Sequence, residues 1–231
     1  MKLVTGGKAG WLFGASNESG YLMSERTDHE GPTEIAIVGD LTDSEAELTD
    51  RLLGIEPGGE CTIYFDSPGG SPYCAVSLMT LIKLRDLKAT GIVTGECSSA
   101  TLWPFAACRR RIVTPFSVML FHPMRWQSEE NVGLAEASEW ARHFGQLEQE
   151  MDVLLAKLFG VPAETMKDWI NPGKYVSGRE LAAAGMAELV ELEDLHRIAM
   201  NSAPADVPKG KVNGRAQSQR SAKAPARARR G

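Results

Sequence analysis

The feature that most constrains this chain is a recurrence of short, β-rich apolar runs, each followed by a segment with helical periodicity. Ile35-Ala36-Ile37-Val38, Cys61-Thr62-Ile63-Tyr64-Phe65 and Gly91-Ile92-Val93-Thr94 are the first three runs. Between them, Asp43 to Leu53 sets Ala46, Leu48, Leu52 and Leu53 on one side of a helix capped by Thr42 or Asp43. Cys74 to Leu87 forms a second helix, largely buried, with Val76, Leu78, Met79, Leu81, Ile82 and Leu84 apolar. Further strands are predicted at Ile112–Thr114, Val118–Phe121 and Glu188–Leu192. Strands that alternate with helices in this way pack as an α/β fold with parallel strands.

Downstream, Gly133 to Gly160 carries the longest helical pattern, with Leu134, Ala137, Ala141, Phe144, Leu147, Met151, Leu154 and Leu158 at steps of three and four. A helix of this length seldom finds enough core inside its own domain, so an oligomer contact and plain core packing are both open. Short helices over Ala163–Ile170 and Gly178–Ala184 flank Asn171-Pro172-Gly173-Lys174-Tyr175.

The chain has 231 residues, enough for one sizeable domain with tails. Residues 1–32 read as a Gly-rich irregular arm, 33–198 as the domain and 199–231 as a disordered tail. The net charge of -5 is unevenly spread. From Pro204 onward eight Lys or Arg face one acid, giving +7 there and therefore -12 elsewhere. That Pro/Ala/Arg-rich tail has no apolar periodicity and reads as solvated, with nucleic acid an unfavoured partner. No apolar run reaches the roughly 18 residues a membrane span needs, and the start lacks a signal-like apolar core. A cytoplasmic location is expected. Cys61, Cys74, Cys97 and Cys108 lack a CxxC pairing and read as buried thiols, so neither metal nor cofactor is expected. Cys97, beside the serines discussed next, is also a candidate nucleophile.

Three features fall at the C-terminal ends of predicted strands, where open α/β sheets gather ligand chemistry. Asp66-Ser67-Pro68-Gly69-Gly70-Ser71-Pro72 follows Phe65, Gly95-Glu96-Cys97-Ser98-Ser99-Ala100-Thr101 follows Thr94, and His122-Pro123 follows Phe121. A strand that turns through small residues into a helix lifts one side chain out and leaves the first helical N–H groups unpaired. A hydroxyl there needs a base, and histidine is the side chain best tuned to take its proton near neutral pH. The Gly70 and Ala100 N–H groups could supply the two donors an oxyanion needs. Each feature also has a plainer reading: a βα turn, an N-cap and a structural histidine.

Taken together, Asp66-Ser67-Pro68-Gly69-Gly70, the serine turn and Met119-Leu120-Phe121-His122-Pro123 resemble the Clp protease proteolytic subunit family. The likeness includes the intervals between them and runs on to Tyr175-Val176-Ser177 and Ala183-Ala184-Gly185-Met186, covering roughly Glu34 to Leu192. The resemblance implies a ClpP/crotonase-like spiral of βαβ units forming stacked homo-oligomeric rings. In that family the long helix joins ring to ring, and an ATP-driven AAA+ unfoldase delivers unfolded protein substrates. It also implies a serine endopeptidase with Ser99 as nucleophile, His122 as base, and Gly70 and Ala100 as oxyanion donors. Ser99 is preferred to Ser98 because the family's serine takes the fifth place of this Gly-x-x-x-Ser turn.

The chain departs from that pattern in four places. The family's acid stands four residues before the Ser matching Ser177, where this chain has Gly173. Asn171, with Asp168 as its rival, is the remaining candidate third member. Thr101 replaces a glycine after the serine turn, and Pro104 stands in the helix behind. Met124–Glu130 lacks the family's glycines. A catalytically weak or inactive ring subunit is the alternative reading. Acyl-CoA chemistry on the related crotonase fold is a third, and a Ser-Lys dyad would have to draw on Lys83 or Lys88.

Overall fold

A computed structural model describes residues 31–126 and 131–196. Most of the N-terminal arm, the basic tail and Gln127–Glu130 lie outside the described residues. Strands β1 (Thr33–Asp40), β2 (Glu60–Gly69), β3 (Lys88–Cys97), β4 (Arg110–Val113) and β7 (Glu188–Leu189) form a sheet in that order, every neighbouring pair parallel. Helices α1 (Leu41–Leu53) and α2 (Pro72–Leu84) make the first two crossovers, and α3 (Leu102–Ala107) precedes β4. The α/β expectation with parallel strands therefore holds.

Several local expectations change. The strand expected over Glu188–Leu192 ends at Leu189, and a 3-10 turn follows over Leu192–Asp194. The α1 cap is Asp40, whose Oδ1 accepts the Thr42 N–H at 2.8 Å, rather than Thr42 or Asp43. Strand β2 does not stop at Phe65 but runs to Gly69, crossing a bulge at which Asp40 pairs with Gly69. A strand that the sequence reading lacked, β6 (Lys174–Ser177), pairs antiparallel with β5 (Val118–Phe121), while β5 touches the end of β3 through Glu96 and Val118. Its Tyr175 and Val176 point to opposite sides, one exposed and one buried, so no apolar run marks it.

The long helix α4 (Leu134–Phe159) and the short α5 (Ala163–Ile170) pack together behind α3. A chain of rings locks these elements to the sheet. Phe65 meets Phe105 edge-on at 5.3 Å, Phe159 lies 6.3 Å from both Phe105 and Phe121, and Phe121 meets Trp169 at 5.2 Å. Phe65, Phe105 and Phe121 are fully buried, and each such aromatic contributes about 1.5–3 kcal/mol of burial. The cluster ties the ends of β2 and β5 to α3, α4 and α5, and the candidate site sits there. Burial on α4 is confined to its second half (Met151, Leu155, Ala156, Phe159), while residues 134–142 are almost wholly exposed. Among the described residues no helix is long and apolar enough to cross a membrane.

Candidate active site

Strand β3 ends at Cys97, and the chain turns through Ser98 into a short 3-10 helix, Ser99–Thr101, that runs on into α3. The two serines in this turn have separate tasks. Ser98 is buried: its Oγ accepts the Leu120 N–H at 3.0 Å, and its carbonyl accepts from the Thr101 N–H at 3.1 Å and the Thr101 hydroxyl at 2.6 Å. It ties the turn to β5. Ser99 adopts a left-handed φ of 54°, uncommon for a residue with a side chain, which carries its hydroxyl away from the turn and toward His122.

Ser99 Oγ lies 2.8 Å from His122 Nε2, and His122 Nδ1 lies 2.6 Å from the Pro123 carbonyl oxygen. A carbonyl can only accept, so Nδ1 carries the ring proton of the neutral imidazole. Nε2 is then the acceptor, and the Ser99 hydroxyl donates to it. This is the tautomer a base needs if it is to take a proton from that hydroxyl. His122 follows directly on the buried Phe121, so the aromatic cluster holds its backbone.

Gly69 closes the other side. A methyl group built on it would stand 2.8 Å from Ser99 Cβ and 3.2 Å from the Ala100 nitrogen, so only a glycine lets β2 lie this close to the serine turn. Gly70, the next residue, packs against the Asp40 side chain at the start of α1. Gly70, Ser99, Ala100, Trp103, His122 and Arg125 are among the residues lining a cavity of about 170 Å³ beside the Ser99–His122 pair. Trp103 is held in place by its indole N–H, which donates to the Met151 carbonyl of α4 at 3.2 Å.

The candidate third members do not join this pair. Among the described residues neither Asn171 nor Asp168 hydrogen-bonds to His122. Gly173, where the family pattern has an acid, adopts a φ of 128° and lies against His122, 3.5 Å from a built Cβ to the His122 Cβ. Cys97 is fully buried, and burial drives its thiol pKa far up, so it offers no thiolate at neutral pH. Lys88 pairs with Glu60 at the opposite end of β3, 3.7 Å away, which removes it from a dyad with Ser99. Sequence reasoning missed Ser98 and Thr101 as builders of the turn. The Gly69-Gly70 doublet was the one signal that pointed there.

Fold and site together describe a parallel-sheet α/β protein with a hydroxyl–imidazole pair assembled at the strand ends, between the serine turn and β5. The chain belongs to the Clp protease family, whose profile matches residues 31–193. Two curated relatives, each described as an ATP-dependent Clp protease proteolytic subunit, are distant. The protein from Pleurastrum terricola is 23% identical over 168 residues, spanning 69% of this chain and 83% of that protein. The one from Oltmannsiellopsis viridis is 24% identical over 159 residues, spanning 64% and 80%.

Proposed function

We propose that this protein is a serine endopeptidase that cleaves peptides or unfolded proteins inside a ring-shaped homo-oligomer. The observation that carries the reading is the 2.8 Å contact between Ser99 Oγ and His122 Nε2, in the one tautomer that lets the hydroxyl donate. In the reaction His122 takes the Ser99 proton as the oxygen attacks the scissile carbonyl, then returns it to the leaving amine. The N–H groups of Gly70 and Ala100 bind the oxyanion. Gly70, Ala100, Ser99 and His122 lining one cavity supports that assignment.

The assembly rests on α4, whose first half extends clear of the core with Leu134 86% exposed. That is the form of a helix waiting for a second copy, consistent with the stacked rings and AAA+ partner of the family. The domain is taken as residues 33–198 in the cytoplasm, with a spiral of βαβ units, and residues 1–32 and 199–231 as its extensions.

One observation favours the second reading, a ring subunit of low or no activity: among the described residues no carboxylate hydrogen-bonds to His122 directly. In triad enzymes, loss of a correctly placed acid costs up to about 10⁴-fold. Hydrolysis of a fluorogenic peptide library by the parent, Ser99→Ala and Ser98→Ala chains tests the assignment. Turnover lost in Ser99→Ala and kept in Ser98→Ala is expected. The reverse pattern sinks the choice of serine, and no turnover by a folded parent chain favours the second reading.

A further inference from the structure

Across the Ser99–His122 pair, the ring nitrogen facing away from the serine is held by a backbone carbonyl, and that carbonyl belongs to a peptide unit with an unusual partner. The Pro123 carbonyl oxygen and the Met124 N–H are the two ends of one planar peptide group. The oxygen accepts from His122 Nδ1 at 2.6 Å, while the N–H donates to Glu148 Oε1 of α4 at 2.8 Å. Glu148, the 123–124 peptide, His122 and Ser99 thus form one unbroken line of hydrogen bonds, ending at the 2.8 Å serine contact.

We propose that Glu148 is the positioning carboxylate of this site, acting on His122 through the Pro123–Met124 peptide. A negative charge at the N–H end of a peptide pushes electron density toward its carbonyl oxygen, and hydrogen bonds in series strengthen one another. The carbonyl then grips Nδ1–H more firmly, fixes the ring orientation and favours the positive charge that the ring gains when it takes the serine proton. This is the work an acid does in a triad, delivered one peptide removed. It also accounts for the chain's tolerance of glycine at position 173, because the carboxylate arrives from α4 instead of from the segment before β6. The inference builds on the peptidase reading and supplies its missing acid.

The surroundings suit the role. Met124 and Glu148 are both partly buried, so the interaction is less screened than a surface pair. One turn further along α4, Asp152 has its pKa raised to about 6, first by burial and then by the charge of Glu148, so that charge is felt along this side of the helix.

The test compares Glu148→Gln, which keeps an acceptor but loses the charge, with Glu148→Leu, which loses both, in the full chain. Glu150→Gln, on the same helix but accepting from Gln146 and not from the Met124 N–H, is the control. Two readouts are taken: the rate of Ser99 modification by a fluorophosphonate, and the NMR resonance of the His122 Nδ1–H in histidine-labelled protein. Glu148→Gln should slow modification about threefold, the factor expected if the charge strengthens the adjacent bond by up to about 30%. It should also move the Nδ1–H resonance upfield. Glu148→Leu should slow modification about tenfold or more, and Glu150→Gln should change neither readout. An unchanged Nδ1–H resonance in Glu148→Gln overturns the inference whatever the modification rate does. A parent chain that fails to react while that resonance still shifts sinks the peptidase reading and leaves the positioning role standing.

Discussion

Replacing Gly69 by alanine is the sharpest perturbation of the turn that presents Ser99. Its φ of 117° lies where side chains are rarely accommodated, and the added carbon would stand 2.8 Å from Ser99 Cβ and 3.1 Å from the Ser98 carbonyl oxygen. None of these atoms is the tip of a flexible side chain, so backbone has to move. The strained conformation costs about 1–3 kcal/mol, and forcing a carbon into packed surroundings costs about 1–3 more. The sum, about 2–6 kcal/mol, is a large part of the roughly 5–15 kcal/mol by which such domains are stable. At about 2–4 °C per kcal/mol for a chain of this size, Tm should fall by roughly 5–20 °C. Thermal melts at one fixed protein concentration measure this, with Gly145→Ala as control. Gly145 lies inside α4 with open space around it, so alanine there should stabilise by about 0.5–1 kcal/mol. Gly69→Ala should also lower the fluorophosphonate reaction rate by at least tenfold at temperatures where the chain stays folded. Tm and rate within error of the parent would refute the argument that close approach of β2 builds the turn.

Three other outcomes follow from the same geometry. Ser98→Ala leaves the half-buried Leu120 N–H without its side-chain acceptor and should cost about 1 kcal/mol in denaturant melts while Ser99 still reacts. Gly173→Asp, which returns an acid to the family's position, should lower Tm because φ is 128° there, and should not raise peptidase turnover; a tenfold gain would show that His122 can exchange Pro123 for a carboxylate. Asp152, raised from 3.8 to about 6, holds its proton more tightly folded than unfolded, so it destabilises the fold increasingly as pH rises from about 4 through 6. Asp152→Asn should therefore gain stability over the parent at pH 7 relative to pH 4. The gain should be about 1 kcal/mol after allowance for its half-exposed setting, read from denaturant melts at both pH values.

Much of the layout was legible before any coordinates, because local signals and tertiary outcome agreed. The runs at Ile35, Cys61, Ile92 and Val118 each became strands, and the three-and-four spacing over α4 gave its ends to within a residue. The misses share a physical cause. Pro68-Gly69-Gly70 carries turn residues, yet a bulge keeps Ser67 and Gly69 paired to neighbouring strands, so β2 outlasts its local chemistry. Strand β6 exists only because β5 offers an unpaired edge, which a four-residue segment with no periodicity does not announce. The serine turn and His122 were legible because each follows a strand, and the choice of Ser99 over Ser98 came from the family resemblance. Glu148 was not, because a carboxylate among the polar positions of an amphipathic helix looks like any solvated residue until its distance to a peptide N–H is known.

The central claim is that Ser99, activated by His122, is a nucleophile. Reaction of the folded protein with a fluorophosphonate, followed by peptide mapping by mass spectrometry, tests it most directly. A single adduct on Ser99 that disappears in His122→Ala is the predicted result. A folded chain that takes up no adduct, or carries it on another residue, contradicts the account.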